Sequence, residues 1–385
     1  MSLGVPAARY GLDAPLCLTL ATLIGWGLVM VASASVAIGE KVAGSPLHFF
    51  ERQLLFSGLG IALALAVFAV PLRSWQRSGF ALLLLALVLL TLVLIPGVGE
   101  RINSSRRWLR LGVFNLQASE PARLALILYL SGYIVRRQLK LQNGVLGLAL
   151  AFMPLSLASL LLLAEPDFGA AVILFAVAIL MLFVGGTRLR DLLAIGALLT
   201  LGMALLALAA PYRVRRLLSF VDPWSHAQDT GFQLVQSLIA VGRGQVFGVG
   251  LGNSVQKLLY LPEMHTDFIF AVLAEEFGLI GVACLIALYA VIVWRGFVIG
   301  RRAELRGALF ESYLAYGLSA WLGLQALINM AVNMGLLPTK GLTLPLVSYG
   351  GSSLITVYAM LALILRVDHE NRLAAAGHPQ AEGRR

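Results

Sequence analysis

The sequence is short of charge. Only 12% of its 385 residues are Asp, Glu, Lys or Arg, while 59% are hydrophobic. Soluble domains carry about a quarter charged residues, so this chain cannot cover its own surface in water. It is also short of cysteine. Cys17 and Cys284 are the only two, each inside an apolar run, which excludes a secreted disulfide scaffold. The high apolar content excludes intrinsic disorder. Strand-like alternation is missing, which argues against a transmembrane β-barrel. What remains is an all-α polytopic integral membrane protein.

A helix needs roughly 20 apolar residues to cross the hydrocarbon core. About ten such spans are expected, at 16–38, 50–70, 78–95, 118–135, 144–163, 168–184, 192–210, 268–293, 308–330 and 348–365. Ala32-Ser33-Ala34 looks like a signal-peptide cleavage site, but the apolar run continues past it. An even count puts both termini on one side. The short loops on the terminal side hold most of the Arg and Lys, which makes that side cytoplasmic. The expected organisation is a cytoplasmic segment 1–15, a ten-helix membrane domain 16–366 and a cytoplasmic tail 367–385. No internal repeat stands out, which counts against an inverted-repeat transporter. Two outer stretches break the charge rule, 96–123 and the large loop 211–267 between the seventh and eighth spans. Long loops translocate whatever their charge; basic residues away from the anionic inner leaflet also suit an anionic ligand.

Four constellations hold the unusual residues. The first combines Arg106-Arg107-Trp108 with Gln117-Ala118-Ser119-Glu120-Pro121-Ala122-Arg123. Ser119, Glu120 and Pro121 make a good helix start. Arg123 lies one turn into an apolar helix, where a charge should face a cavity or a partner, and Glu120 at i−3 is the obvious one. The second is Glu165-Pro166-Asp167-Phe168-Gly169, whose Asp167 could cap the next helix or, with Glu165, meet a cation or a neighbouring arginine. The third is the large loop. Phe232, Val235, Leu238 and Ile239 suggest a short amphipathic helix at the interface. A glycine-rich run from Gly242 through Arg243 to Gly252 follows, without the Gly-Lys-Ser/Thr of a P-loop. The loop ends in Pro262-Glu263-Met264-His265-Thr266-Asp267-Phe268. Asp267 either caps the following helix or serves as a general base held at the membrane surface. Glu275 and Glu276, further along that helix, are intramembrane carboxylates with either a functional role or a structural pairing with an inner arginine. The fourth runs from Asn329 to Ser353, where prolines and glycines break the helix while the segment stays apolar. Irregular backbone at membrane depth must line a cavity or be covered by protein. Lys340 adds a cation, and the Gly350, Gly351 and Ser352 backbone at the next helix start suits an anion, with Ser348 beside it.

Taken together, these motifs resemble the SEDS (shape, elongation, division and sporulation) family of bacterial cell-wall glycosyltransferases. Arg-Arg-Trp, Glu-Pro-Asp-Phe-Gly, Pro-Glu-x-His-Thr-Asp-Phe and Leu-Pro-x-x-Gly-Leu-x-Leu-Pro-x-x-Ser-Tyr-Gly-Gly-Ser-Ser occur in the family's order across nearly the whole chain. The details around Asp267 and Thr339–Thr343 are similar to the division branch rather than the elongation branch. One motif departs: the family commonly has Gln-Pro-Ser-Glu-x-x-Lys, where this chain has Arg123 for the lysine and the proline moved to 121.

The resemblance implies an inverting peptidoglycan glycosyltransferase that polymerises lipid II into β-1,4 glycan at the outer face of the inner membrane, at the division septum. The family's essential aspartate falls on Asp267 and its Arg-Trp arginine on Arg107. The expected substrate-binding set is Arg107, Glu120, Arg123, Arg243, Lys340, Ser348, Gly350, Gly351 and Ser352. No cofactor is required by the sequence, although a divalent cation, Mg2+ or Mn2+, is compatible with diphosphate chemistry. Expected partners are lipid II, a class B penicillin-binding protein that crosslinks the glycan, other divisome membrane proteins and membrane lipids, with no nucleic acid. A lipid II flippase or a non-catalytic divisome scaffold are the alternatives.

Overall fold

The computed structural model describes residues 11–102, 105–111, 114–143, 145–208 and 211–376. In chain order the elements are α1 (Ala14–Ala43), α2 (His48–Ala69), α3 (Leu72–Leu94), β1 (Gly99–Ile102), β2 (Ser105–Leu111), β3 (Phe114–Gln117), α4 (Ser119–Asn143), α5 (Val145–Ala164), α6 (Phe168–Val184), α7 (Leu189–Leu208), α8 (Pro211–Val221), α9 (Phe232–Gly244), α10 (Ile269–Leu305), α11 (Leu309–Asn333) and α12 (Gly351–Ala375). Among the described residues, seven helices are long and apolar enough to cross a membrane by length and composition: α1, α2, α3, α5, α10, α11 and α12. α6 is apolar but shorter. The expected spans 118–135 and 192–210 coincide with α4 and α7, apart from residues 209–210, which are outside the described set.

The burial pattern is that of a protein in lipid. α11 and α12 are buried on nearly every face and form the centre. α2 and α3 lie at the edge, with Leu54, Leu55, Leu65, Leu84 and Leu85 about half exposed or more. In water such a leucine surface would be costly; against acyl chains it is the required outer layer. α10 packs on α11, α9 and α1, and α12 packs on α2.

Local sequence explains the element ends that matter. The Asp13 carboxylate accepts from the Leu16 N–H at 3.0 Å and opens α1. Asp167 does the same for α6, accepting from Ala170 N–H at 3.1 Å, so its capping role is real. Three features differ from the sequence expectation. First, the outer stretch 96–123 contains a small antiparallel sheet in the order β1-β2-β3, with Trp108 paired to Glu100 on one side and Gln117 on the other. Its strands are short and charged, and no alternation marked them. Second, α9 docks on the body by Leu234, Val235, Ser237 and Ala240, while Ile239 is exposed. The docked face is rotated from the expected stripe, and on it Ser237 Oγ donates to the Asn333 carbonyl at 2.7 Å. Third, α12 runs well past residue 365. Val367 and Asp368 are buried there, Asp368 in ion pairs. Residues 1–10 of the expected N-terminal segment and 377–385 of the expected tail lie outside the described residues.

Candidate functional site

Asp267 sits two residues before α10, facing the irregular segment between α11 and α12. A Cβ added at Gly341 would lie 3.1 Å from Asp267 Oδ2, so that backbone lies against the carboxylate. The Asp267 main chain is pinned from beneath. The side-chain amides of Asn329 and Asn333 both donate to its carbonyl, at 2.9 and 3.0 Å. Asn333 Oδ1 in turn accepts from the Ala271 N–H at 3.2 Å. The flanking residues are stitched to the 344–349 turn. Ser348 Oγ donates to the Thr266 carbonyl at 2.6 Å, and the Tyr349 N–H donates to the His265 carbonyl at 2.9 Å. Phe49, His265 and Tyr349 pack ring to ring above. Asp267 is therefore held by three elements, and the N-cap position of α10 falls on Phe268, which has no side-chain acceptor, rather than on Asp267.

The electrostatics favour a neutral carboxyl that can be deprotonated. Burial pushes the Asp267 pKa up to about 7; Glu263 and Asp167 add to the rise, and Arg107 opposes it. Arg107 comes from β2. Its guanidinium donates to the Glu165 and Pro166 carbonyls at 3.0 and 2.6 Å, so the sheet places a cation over the α5–α6 turn. Glu165 in that turn is fully buried, and neither carboxylate oxygen has a hydrogen-bond partner. Burial, then the nearby Asp167, raises its pKa to about 9, with Arg107 opposing. Lys340, next to Gly341, stands 4.4 Å from the Phe168 ring centroid.

The other expected residues divide into groups. Glu120 and Arg123 form a buried ion pair at 2.7 Å under Trp321, whose ring centroid is 5.3 Å from the guanidinium. Arg123 Nε is buried without a partner, which leaves one donor for a ligand. Ser348 braces the Asp267 loop, as described. Ser352 Oγ donates to the Asn115 carbonyl at 2.7 Å and accepts from the Gln117 N–H at 3.1 Å, tying α12 to β3. Gly351 is fixed by packing, since a Cβ there would meet the Phe56 ring at about 3.0 Å. Gly350 lies against Thr343. Arg243 pairs with Glu275 at 3.1 Å, and Glu276 pairs with Lys257 at 2.9 Å, so the two helix carboxylates meet outer-loop cations and not an inner arginine. Asn329 and Asn333, which hold the Asp267 carbonyl, are functional residues that the sequence reading does not single out. Their i, i+4 spacing in an apolar helix is the signal that could have found them. Among the described residues, no three His, Cys, Asp or Glu side chains converge to hold a metal ion.

Comparison with known proteins fits this arrangement. A family model described as cell cycle protein, covering FtsW, RodA and SpoVE, matches residues 14–373. The chain belongs to that family. It is 52% identical over 97% of its length, and 95% of the relative, to a probable peptidoglycan glycosyltransferase FtsW of Thioalkalivibrio sp. (strain K90mix). It is 53% identical over 94% of its length, and 91% of the relative, to the protein of the same name from Alkalilimnicola ehrlichii. Among solved structures, it is similar to a chain from a peptidoglycan synthase complex in which polymerization and crosslinking are structurally coordinated. The TM-score is 0.76 and the identity 31%, covering 94% of this chain and 98% of that one. Thermus thermophilus RodA matches with a TM-score of 0.69 and 30% identity over 94% and 98% of the two chains. As a family member the chain is an α-helical polytopic membrane protein, closest in its motifs to the FtsW branch.

Proposed function

We propose that this chain is a peptidoglycan glycosyltransferase of the division type, polymerising lipid II at the outer face of the inner membrane. Its relatives at about half identity carry that activity in their names. The observation that carries the residue assignment is the placement of Asp267: half-buried just before α10, with its carboxylate against the Gly341 backbone and its pKa pushed up to about 7. A carboxylate with that pKa is matched to general-base work near neutral pH.

In the mechanism, Asp267 takes the proton from the 4-hydroxyl of the acceptor's terminal GlcNAc. That oxygen bonds to C1 of the donor's MurNAc as the bond from C1 to the diphosphate oxygen breaks. The configuration inverts, the proton stays on Asp267, and undecaprenyl diphosphate leaves with the electron pair. Arg107, whose charge acts on Asp267, and Lys340, next to Gly341, stabilise the leaving charge. Arg123 offers its spare Nε–H from the neighbouring buried pair. Gly350, Gly351 and Ser352 shape the wall at the start of α12, and Ser348 and Glu120 hold the loop and the arginine in place. Arg243, paired with Glu275, keeps part of its guanidinium exposed toward the outer side, where it can add positive charge near the substrate. A class B penicillin-binding protein is the partner that would crosslink the product, with both termini cytoplasmic and the 211–267 segment periplasmic.

The test is glycan synthesis from labelled lipid II by the full chain with its class B partner, the partner inactivated for crosslinking. Wild type should give a ladder of products. Asp267→Asn, folded and partner-bound, should give none. Equal ladders would remove Asp267 from the chemistry, and a folded wild-type complex without a ladder would favour lipid transport.

A further inference from the structure

α10 is a broken helix. Gly278 has φ +65 and ψ −163, so the backbone leaves the helical path there. The break frees carbonyls before it and N–H groups after it, and a segment of the large loop fills the gap. The Val249 and Gly250 N–H groups donate to the Glu275 and Glu276 carbonyls, both at 3.0 Å. In return, the Leu279 and Ile280 N–H groups donate to the Gln245 and Val246 carbonyls at 2.9 and 3.2 Å. Contact is too close for side chains: a Cβ at Gly278 would lie 2.4 Å from the Gly248 nitrogen.

The two carboxylates at the break close the same joint through their side chains. Glu275 is fully buried and collects Arg243 at 3.1 Å, Ser254 Oγ at 2.5 Å and the Val255 N–H at 3.1 Å. Glu276 accepts from Lys257 Nζ at 2.9 Å and from Ser33 Oγ of α1 at 2.7 Å. Lys257 also donates to Ser33 at 3.0 Å. A cavity of about 470 Å3, lined partly by Ser33, Lys257 and Leu258, abuts this cluster. The break divides α10 into an outer half, from Ile269 to Gly278, and an inner half, and Asp267 lies two residues before the outer half.

We propose that Glu275 and Glu276 are positioning residues, which lock the 243–258 segment into the α10 break and so fix the half-helix that carries Asp267. The proposal rests on the assignment of Asp267 as the base. Its energetic logic is that a buried charge that loses its partner is far costlier than a pair removed together. Substituting one member should release the joint, and substituting both should largely restore it.

The experiment compares Glu276→Gln, Lys257→Met and the double variant in the full chain with its class B partner. Polymerisation of labelled lipid II and backbone hydrogen exchange are both measured, normalised to folded complex. Each single variant should lower kcat at least tenfold with the KM for lipid II within twofold. Exchange should rise at 249–250 and 279–280 but not in α11. The double variant should recover most of kcat. A purely structural role predicts less folded complex with unchanged kcat per folded molecule, and that result would overturn the proposal, as would unchanged exchange at the break. Should a single variant fail to fold, Glu275→Gln carries the same readouts. Asp267→Asn is run in parallel. If it keeps its ladder, the base assignment fails, while the exchange data still decide whether the joint exists.

Discussion

At the end of the body opposite Asp267, Asp13 caps α1 and also receives Arg295 of α10 and Arg372 of α12. Arg372 reaches Asp368 at 2.7 Å, and Arg302 lies 3.7 Å from the same carboxylate. Burial would raise the Asp13 pKa, but the Arg295 hydrogen bond and the two arginine charges hold it below its ordinary value. At the Asp267 end, the Arg107 charge opposes the rise at both Asp267 and Glu165 but does not overcome burial. Burial wins there, and Asp267 and Glu165 are both raised. One end spends its buried charge on joining three helices. The other leaves carboxyl groups poised to exchange protons. The difference teaches that burial alone does not mark a reactive group; the supply of arginine around it decides.

The largest effect expected is on chemistry at the poised end. Asp267→Asn should lower polymerisation by about 10²–10⁴-fold, the range for loss of a general base, with no loss of thermal stability in detergent. At the paired end the effect reverses. Asp13→Asn should cost about 3 kcal/mol of stability, because it strips Arg295 and Arg372 of a buried partner, yet polymerisation per folded molecule should stay near wild type. The Asp13 contribution is present above its unfolded pKa and is lost as pH falls through the lowered folded value. An intermediate effect is expected at the seam between sheet and α12. Ser352→Ala removes two hydrogen bonds and should cost about 1 kcal/mol, seen in thermal melts, with a smaller loss of rate. The smallest effect is expected at Glu165→Gln. With a pKa of about 9 that carboxyl is already protonated at neutral pH, so the amide should change stability by less than about 1 kcal/mol. A large loss there would break the comparison, because it would mean that Glu165 works as a charge.

Much of this was legible in the sequence because lipid imposes a simple rule. Apolar runs of about 20 residues announce helices, and the ten expected positions coincide with α1 to α7 and α10 to α12. The Asp267 and Lys340 neighbourhood was legible for the opposite reason, since polar residues in apolar surroundings stand out. The Glu120–Arg123 pair followed from i, i+3 spacing alone. Other features were hidden in long-range contact. Nothing local ties Arg107 to the Glu165 carbonyl, Ser352 to Asn115, or Lys257 to Glu276. The pairing of Arg243 with Glu275 is equally hidden, because the two lie 32 residues apart. The break at Gly278 was hidden too, because a glycine in an apolar helix is common, and only the loop inserted there gives it meaning.

The most direct test of a poised Asp267 is the pH dependence of polymerisation by the complex, per folded molecule. Its carboxyl must lose a proton to act, and its pKa is raised, so the active fraction grows as pH rises through the raised value. The charges that set the midpoint are Glu263, Asp167 and Arg107. The rate should climb with pH up to about 7 and level off above it, and Glu263→Gln, which removes a neighbouring negative charge, should shift the midpoint downward. A rate that is flat through this range, or a midpoint that ignores Glu263→Gln, would contradict the account.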